Sequence, residues 1–389
     1  MNNSRRNSRE PVNTSQTVSC ICVRGVNSTG SDLSSILPVH NKAAREPERL
    51  LVPARPIAPY VERGYVSSQQ VFNLLSAEEG QAALYDPYYI LILDCRSTKR
   101  SALHMYGKSH VVTARAAVTV IHPVLGCLIS CIALQKYSII LLYAEEGSSP
   151  VVLTICTDSF SLPLLLYASV LISVGSVKAR TDSPDLLHCF FQLSRLGMDP
   201  VILLGGFSAF RASYPFLCTR MVLLETERHT LTIYPSEILE GALYQGSASQ
   251  ASDYRIIENL RITHVVNATA NWPDAFPNKL CYLRLCLSDD AQQDLVEALP
   301  LASRSINAAL MAEPAGHVLV HCSVGRIRSS ALTLVFLMEH RRWSLLHALC
   351  WLKERRACSA PNVNFLRQLI VYEELLFGSK LTSLSDIRR

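Results

Sequence analysis

The sequence predicts an α/β protein built from two units in tandem, and three observations carry that prediction. At 389 residues the chain is longer than one hydrophobic core usually supports. Its continuous apolar runs end in polar loops and are separated by stretches of helical spacing, the pattern of parallel strands alternating with helices. One such run, at residues 317–321, passes directly into a loop and then into another helical stretch.

Taken in order, residues 1–65 are dominated by Ser, Asn, Arg and Pro and read as a disordered tail, closed by Pro53, Pro56 and Pro59 as a stiff linker. The first unit is expected at residues 66–222. Ser67 is placed to cap a helix carrying Val71, Leu74 and Leu75. Strands are expected at residues 89–94, 139–143 and 200–204. A buried helix is expected at residues 162–174, an apolar run too short to span a bilayer. The second unit is expected at residues 234–379, with strands at 263–267, 282–287 and 317–321. The helix after the last strand presents Ala331, Leu334, Val335 and Met338 at spacings of three and four. Two more helices are expected at 345–354 and 364–376, and residues 380–389 form a short tail.

A net charge of +5 is too small to imply nucleic acid by itself and suits a polyanionic or a phosphorylated partner equally well. The thirteen cysteines are odd in number and irregularly spaced, with no signal peptide ahead of them. They read as thiols in a reducing compartment, not as a disulfide framework. None has the spacing of a zinc site, so no metal is expected. Arg5, Arg6 and Arg9 among Ser and Asn have the composition of a mitochondrial transit peptide. Glu10 arrives early, however, and the apolar face is thin, so the cytoplasm is the expected location.

The chemistry is concentrated in residues 320–330. Backbone N–H groups of a tight loop and of a helix N-terminus converge there into a nest for an anion. The nest is expected to comprise Ser323, Val324, Gly325, Arg326, Ile327 and Arg328. Gly325 permits the turn and a close backbone approach. Arg328 can grip two phosphate oxygens with its planar fork, a geometry Lys lacks. The same field, beside Arg and His, favours ionisation of Cys322. The thiolate can then attack phosphorus and form a phosphocysteine. Ser329 can donate its hydroxyl to that sulfur as it leaves, and His321 orients the loop and supports the thiolate. Such a reaction also needs a general acid on an upstream loop. Asp289 is the first choice and Asp290 the second; both follow the strand expected to end at Leu287. No organic cofactor is required. A thiolate of this kind is also prone to reversible oxidation by peroxide, with a disulfide to a nearby Cys as its expected product.

His321-Cys322, five residues, then Arg328-Ser329 is the His-Cys-x5-Arg-Ser arrangement of the protein tyrosine phosphatase superfamily. The C-terminal part resembles the dual-specificity phosphatases, especially the MAP-kinase-phosphatase group. The resemblance rests on residues 241–246 (GALYQG), 262–267 (ITHVVN), 287–289 (LSD), and 359–362 (SAPN) followed by Phe365. It implies that Asn362 braces the phosphate loop from below, with a helix cap as the alternative. The upstream unit resembles a rhodanese-like domain at residues 93–97 (LDCRS), 109–114 (SHVVTA) and 204–210 (LGGFSAF). An active rhodanese would carry a Cys in the loop after residues 139–143. Here residues 144–149 read AEEGSS, so sulfur transfer is not expected, and Asp94 and Arg96 read as a buried structural pair.

Within this group the chain looks most like the serine/threonine/tyrosine-interacting-like proteins, which share Asp86-Pro87-Tyr88-Tyr89. That family includes pseudophosphatases whose His-Cys pair is replaced, whereas His321 and Cys322 are both present here. Ile327 and Arg326 depart from the usual loop and can slow the reaction or narrow the substrates. The implied function is hydrolysis of phosphotyrosine, and of phosphoserine or phosphothreonine, on a protein. The competing readings are a binding module that captures a phosphorylated partner without turnover, and the same chemistry on a lipid or sugar. Relatives in the MAP-kinase-phosphatase group dock kinases through a basic pair, but residues 121–135 (IHPVLGCLISCIALQ) hold no Arg or Lys, so docking of a MAP kinase is weakly supported. The Arg341-Arg342 and Arg355-Arg356 pairs read as solvated helix faces.

Overall fold

The computed structural model describes residues 64–387, apart from residues 80, 87, 97–103, 106–108, 115–117, 122–130, 148–182, 220–229 and 291. Of the tail expected at residues 1–65, residues 1–63 with the three prolines lie outside the described residues, as does the helix expected at 162–174, while Tyr65 already belongs to a strand.

The chain has the α/β architecture expected, arranged around two principal sheets. The N-terminal sheet contains β1 (Tyr65–Val66), β2 (Ile90–Asp94), β3 (Ser109–Ala114), β4 (Val118–Ile121), β5 (Ile139–Tyr143) and β6 (Pro200–Leu203). Their order is β1-β6-β5-β2-β3-β4, parallel except for the last pair. Because strand side chains alternate, both faces of the central strands need cover. Leu91, Leu93, Ile140, Leu142 and Ile202 pack on one face with Leu186 and Leu193 of α2 (Pro184–Arg195). Ile90, Ile92, Leu141, Tyr143, Val201 and Leu203 pack on the other. There they meet Phe72 of α1 (Ser68–Leu75) and Phe207 and Phe210 of α3 (Gly206–Ser213).

Ser67 starts α1 with a capping box. Its hydroxyl accepts from Gln70 N at 3.1 Å, and its own N–H donates to Gln70 Oε1 at 2.9 Å. Beyond α1 the chain makes a short antiparallel hairpin of Glu78–Glu79 with Gln81–Ala82. After β2, Arg96 donates from Nη2 to Asp94 Oδ2 at 2.7 Å and from Nη1 to Glu145 Oε2 at 3.1 Å. Glu145 also accepts from Ser208 Oγ, so the loop after β5 is tied down by polar bonds.

The C-terminal sheet contains β7 (Ser236–Leu239), β8 (Leu243–Ser247), β9 (His264–Asn267), β10 (Cys281–Arg284) and β11 (Val318–Cys322). Its order is β7-β8-β11-β9-β10, with only β7 antiparallel to its neighbour. The strand expected at 282–287 stops at Arg284. Leu285 N still reaches Asn267 O, but Leu287 N turns back to Leu285 O at 2.9 Å and ends the ladder. α4 (Ala298–Leu310), α5 (Arg328–Arg341), α6 (Leu345–Arg355) and α7 (Val363–Phe377) are the longer helices of this unit, beside short ones at Ala248–Ala251, Tyr254–Asn259 and Leu384–Ile387. The last corrects the tail expected at 380–389: Thr382 is buried and bonded to Glu373, and Leu384 and Ile387 pack on the core. α5 is the central helix of the unit, with every residue from Ala331 to Met338 buried.

The two sheets share one apolar cluster. Phe72 stacks on Tyr214 with ring centroids 4.7 Å apart, and Phe216 packs on Tyr234 at the same distance. Asn73 makes a pair of hydrogen bonds to the backbone of Glu237, donating from Nδ2 to its O at 2.9 Å and accepting at Oδ1 from its N at 2.8 Å. Among the described residues no helix is long and apolar enough to cross a membrane.

Candidate active site

The site lies at the C-terminal edge of the parallel strands of the second sheet. β11 is the middle strand, held by β8 on one side and β9 on the other, so its last residues cannot drift. Gly246 and Ser247 stand opposite His321 and Cys322. The chain then turns through residues 323–327 and enters α5 at Arg328.

Gly325 is the residue on which the turn depends. Its φ is +76°, and a Cβ there would stand 2.4 Å from Gly246 O, a contact with backbone that nothing nearby can relieve. Its N–H donates to Cys322 Sγ at 3.2 Å. Ser329 Oγ lies 3.4 Å from the same sulfur. Burial pushes the Cys322 thiol up, but the Ser329 contacts and the Arg328 charge outweigh it, and its pKa falls below the ordinary thiol value.

Arg328 is buried, and both of its terminal nitrogens donate hydrogen bonds. Nη1 donates to Leu287 O at 3.0 Å and Ala268 O at 3.3 Å, and Nη2 donates to Ser323 Oγ at 2.9 Å. Nη2 also donates to Asp289 Oδ2 at 3.0 Å, while Nε stands 2.7 Å from Asp289 Oδ1. Asp289 therefore sits on the guanidinium of the loop. Asp290 is exposed, and the carboxylate paired with Arg328 among the described residues is that of Asp289.

The rest of the loop divides by exposure. Val324 is 61% exposed at its tip, and Ile327 is half-buried against the core of the second unit. Arg326 is exposed but anchored, with Nε donating to Cys358 O at 3.1 Å and its carbonyl accepting from Ala360 N and Ser330 Oγ.

Two expectations are corrected here. Asn362 does not touch the phosphate loop. Its Oδ1 caps α7 by accepting from Phe365 N at 2.8 Å, and its Nδ2 donates to Asp289 O at 3.2 Å. It steadies the acid loop, since its carbonyl is already taken by the helix cap. His321 adds no positive charge beside the thiol. Burial drives its pKa down to about 4, against a hydrogen bond to the Cys322 backbone, so the ring is neutral near pH 7.

The bracing from below comes from residues the sequence did not single out. Gln245 Nε2 lies 3.1 Å from Gly325 O, 2.9 Å from Ser330 Oγ and 3.3 Å from Ser359 Oγ. Arg356, read as a solvated surface residue, is instead 3% exposed and donates from Nε to Gly325 O at 2.9 Å. The signal for Gln245 was available, because a Gln inside a buried strand must find a partner. For Arg356 no local signal exists, since its partners lie far away in the chain. The arrangement as a whole offers a stabilised sulfur, a fixed cation and an acid, all within one loop's reach.

Comparison with known proteins agrees with this geometry. The family model for the dual specificity phosphatase catalytic domain matches residues 243–375. Dual specificity protein phosphatase 2 of Homo sapiens is 31% identical over 227 residues, covering 54% of this chain and 71% of that protein. A probable rhodanese domain-containing dual specificity protein phosphatase of Dictyostelium discoideum is 31% identical over 198 residues, 50% of this chain and 41% of that protein. The chain spans less than half the length of the first curated relatives it matches, covering 41%, 34% and 21% of them. Among solved structures, the human tyrosine phosphatase-like serine/threonine/tyrosine-interacting protein matches at 30% identity. That match has a TM-score of 0.34 and covers 36% of this chain and 97% of that one. On the extent of its likeness to the human enzyme, this chain belongs to the dual specificity protein phosphatase family.

Proposed function

We propose that the chain is a cysteine-dependent protein phosphatase that hydrolyses phosphotyrosine, and phosphoserine or phosphothreonine, through a phosphocysteine. The observation that carries this reading is the setting of Cys322. Its sulfur accepts from Gly325 N at 3.2 Å and lies 3.4 Å from Ser329 Oγ, with Arg328 on the same loop. As the phosphoryl group enters, Asp289 gives up its place on Arg328 and the guanidinium turns to the phosphate oxygens. Asp289, released from the ion pair, takes up a proton from solvent; Cys322 Sγ then attacks phosphorus, the P–O bond to the leaving group breaks, and Asp289 passes its proton to the departing oxygen. Asp289, now a carboxylate, takes a proton from the water that attacks the phosphocysteine. The S–P bond breaks and the thiolate returns, steadied by the hydroxyl of Ser329.

The partner in this reading is a phosphorylated protein. Residues 234–379 form the phosphatase domain and residues 66–222 a rhodanese-like domain without sulfur-transfer chemistry. The rhodanese domain of the Dictyostelium relative supports the rhodanese-like assignment, and Glu145, bound to Arg96 and Ser208, supports its inactivity. The chain is placed in the serine/threonine/tyrosine-interacting-like branch on the strength of residues 86–89, with the cytoplasm as its compartment. One observation favours a second reading, a protein that captures partners with little turnover: the Arg328 fork is already held by Asp289. Turnover of an aryl phosphate by the full chain, beside Cys322→Ser, decides between them. Hydrolysis lost in Cys322→Ser supports the enzyme; no hydrolysis above that background in a folded protein supports the binding reading.

A further inference from the structure

The bond network under the phosphate loop does not end within the phosphatase unit. Arg356 uses three donors: Nε to Gly325 O at 2.9 Å, Nη1 to Ser236 Oγ at 3.1 Å and Nη2 to Glu78 Oε2 at 3.3 Å. Glu78 lies 278 residues upstream, on the hairpin that follows α1 of the N-terminal unit. The Arg356 side chain is 1% exposed and that of Glu78 28% exposed. A buried guanidinium needs a compensating charge, and among the described residues Glu78 supplies the carboxylate in its ion pair. Glu78 is itself placed. Its other oxygen lies 3.5 Å from Gln250 Nε2, and α1 is fastened to the second unit by the two hydrogen bonds between Asn73 and the Glu237 backbone.

We propose that Glu78 is a positioning residue for the phosphate loop, through which the N-terminal unit sets the state of Cys322. This rests on the reading of Cys322 as the nucleophile. Gly325 is the link, because its two backbone groups face opposite ways. Its carbonyl is gripped by Arg356, while its N–H is given to Cys322 Sγ. With Glu78 removed, the charge of Arg356 is left buried and is relieved only by turning toward solvent. That movement takes a donor from Gly325 O, loosens the turn, and withdraws the N–H that stabilises the thiolate. The first unit thus acts as a support for the catalytic loop as well as a neighbour of it.

The test uses the full chain as wild type, Glu78→Gln, Glu78→Ala and Asn73→Ala. The readout is the pH dependence of Cys322 alkylation by iodoacetamide, followed by peptide mass, beside turnover of an aryl phosphate. Glu78→Gln and Glu78→Ala are expected to move the Cys322 profile to higher pH and to lower turnover by about tenfold, the order of loss that small misplacements cause. Asn73→Ala loosens the same interface without touching Arg356 and is expected to keep the wild-type profile. Where Glu78→Ala fails to fold, the isosteric Glu78→Gln decides. A wild-type profile in folded Glu78→Gln, or an equal shift in Asn73→Ala, overturns the proposal. Alkylation reads the thiol directly, so a chain without phosphatase turnover still answers this question while failing the reading above.

Discussion

Asp289 holds Arg328 by two contacts, Oδ1 at 2.7 Å from Nε and Oδ2 at 3.0 Å from Nη2. The cation proposed to grip phosphate is thus paired with the acid proposed to protonate the leaving group, and an incoming phosphate competes with that carboxylate. In a Cys322→Ser background, Asp289→Asn is therefore expected to bind inorganic phosphate more tightly. The Asp289 side chain is 44% exposed, so its pairing energy is screened and the gain is about fivefold. Calorimetric titration measures it, and unchanged or weaker binding contradicts the competition.

The same substitution separates binding from proton transfer when turnover is followed. Loss of a general acid costs about 10²-fold or more where the leaving group is basic. Asp289→Asn is expected to lose that much kcat on a phosphotyrosine peptide and far less on the phosphate ester of a strongly acidic phenol, which departs without a proton. Equal losses on both substrates point away from Asp289 and toward Asp290 or a purely positional role.

Much of this arrangement is legible in sequence, because it depends on local rules. The cap at Ser67, the strands at Ile139–Tyr143 and Val318–Cys322 and the glycine at the turn follow from neighbours a few residues away. The long-range network is not legible. Arg356 looks like any basic residue at a helix end until Glu78, Ser236 and Gly325 are brought around it. Asn362 reads equally well as a loop brace or a helix cap, and only the position of Asp289 separates the two. The strand expected to run to Leu287 is apolar again after Arg284, yet the regular ladder stops at Arg284 and the chain folds back from Leu287 to Leu285. Apolar character reports burial, not pairing.

Ser329 contributes to the lowered pKa of Cys322, and the same hydroxyl is placed to stabilise the sulfur when phosphocysteine breaks down. Ser329→Ala is expected to shift the acid limb of the rate profile to higher pH, since the thiol then ionises less readily. It also slows the second chemical step. Rapid quenching with a ³²P-labelled substrate then finds labelled enzyme accumulating, by about tenfold over wild type, for a lost hydrogen bond to a charged group. Accumulation no greater than in wild type removes Ser329 from that step.

His321 makes stability depend on pH. Its folded pKa of about 4 lies below the ordinary value of 6.5, because burial penalises the charged ring. Between these values the unfolded chain binds a proton that the folded chain does not, so stability falls as pH drops from 6.5 toward 4. The shift corresponds to about 3 kcal/mol at most. Burial also lowers the pKa of His264 and His347, which steepens the same slope. Urea unfolding at pH 7 and pH 5 is expected to give a smaller free energy at pH 5, with the difference reduced in His321→Asn. An unchanged difference assigns the dependence to other groups.

Gln245 is the polar residue of β8 on which the loop rests, its Nε2 within 3.3 Å of Gly325 O, Ser330 Oγ and Ser359 Oγ. Gln245→Leu keeps most of the volume but removes the donor, leaving those buried oxygens short of a partner. Destabilisation of about 1–3 kcal/mol follows from unsatisfied groups of this kind. The effect on activity has a definite form. Gly325 O keeps its bond from Arg356, so the loop is retained but less rigid. Tightly held geometry matters more in the transition state than in the bound substrate, so kcat falls more than KM rises. A fall in stability without any change in kcat would mean that Arg356 alone fixes Gly325, with Gln245 serving only the packing of β8 against α5.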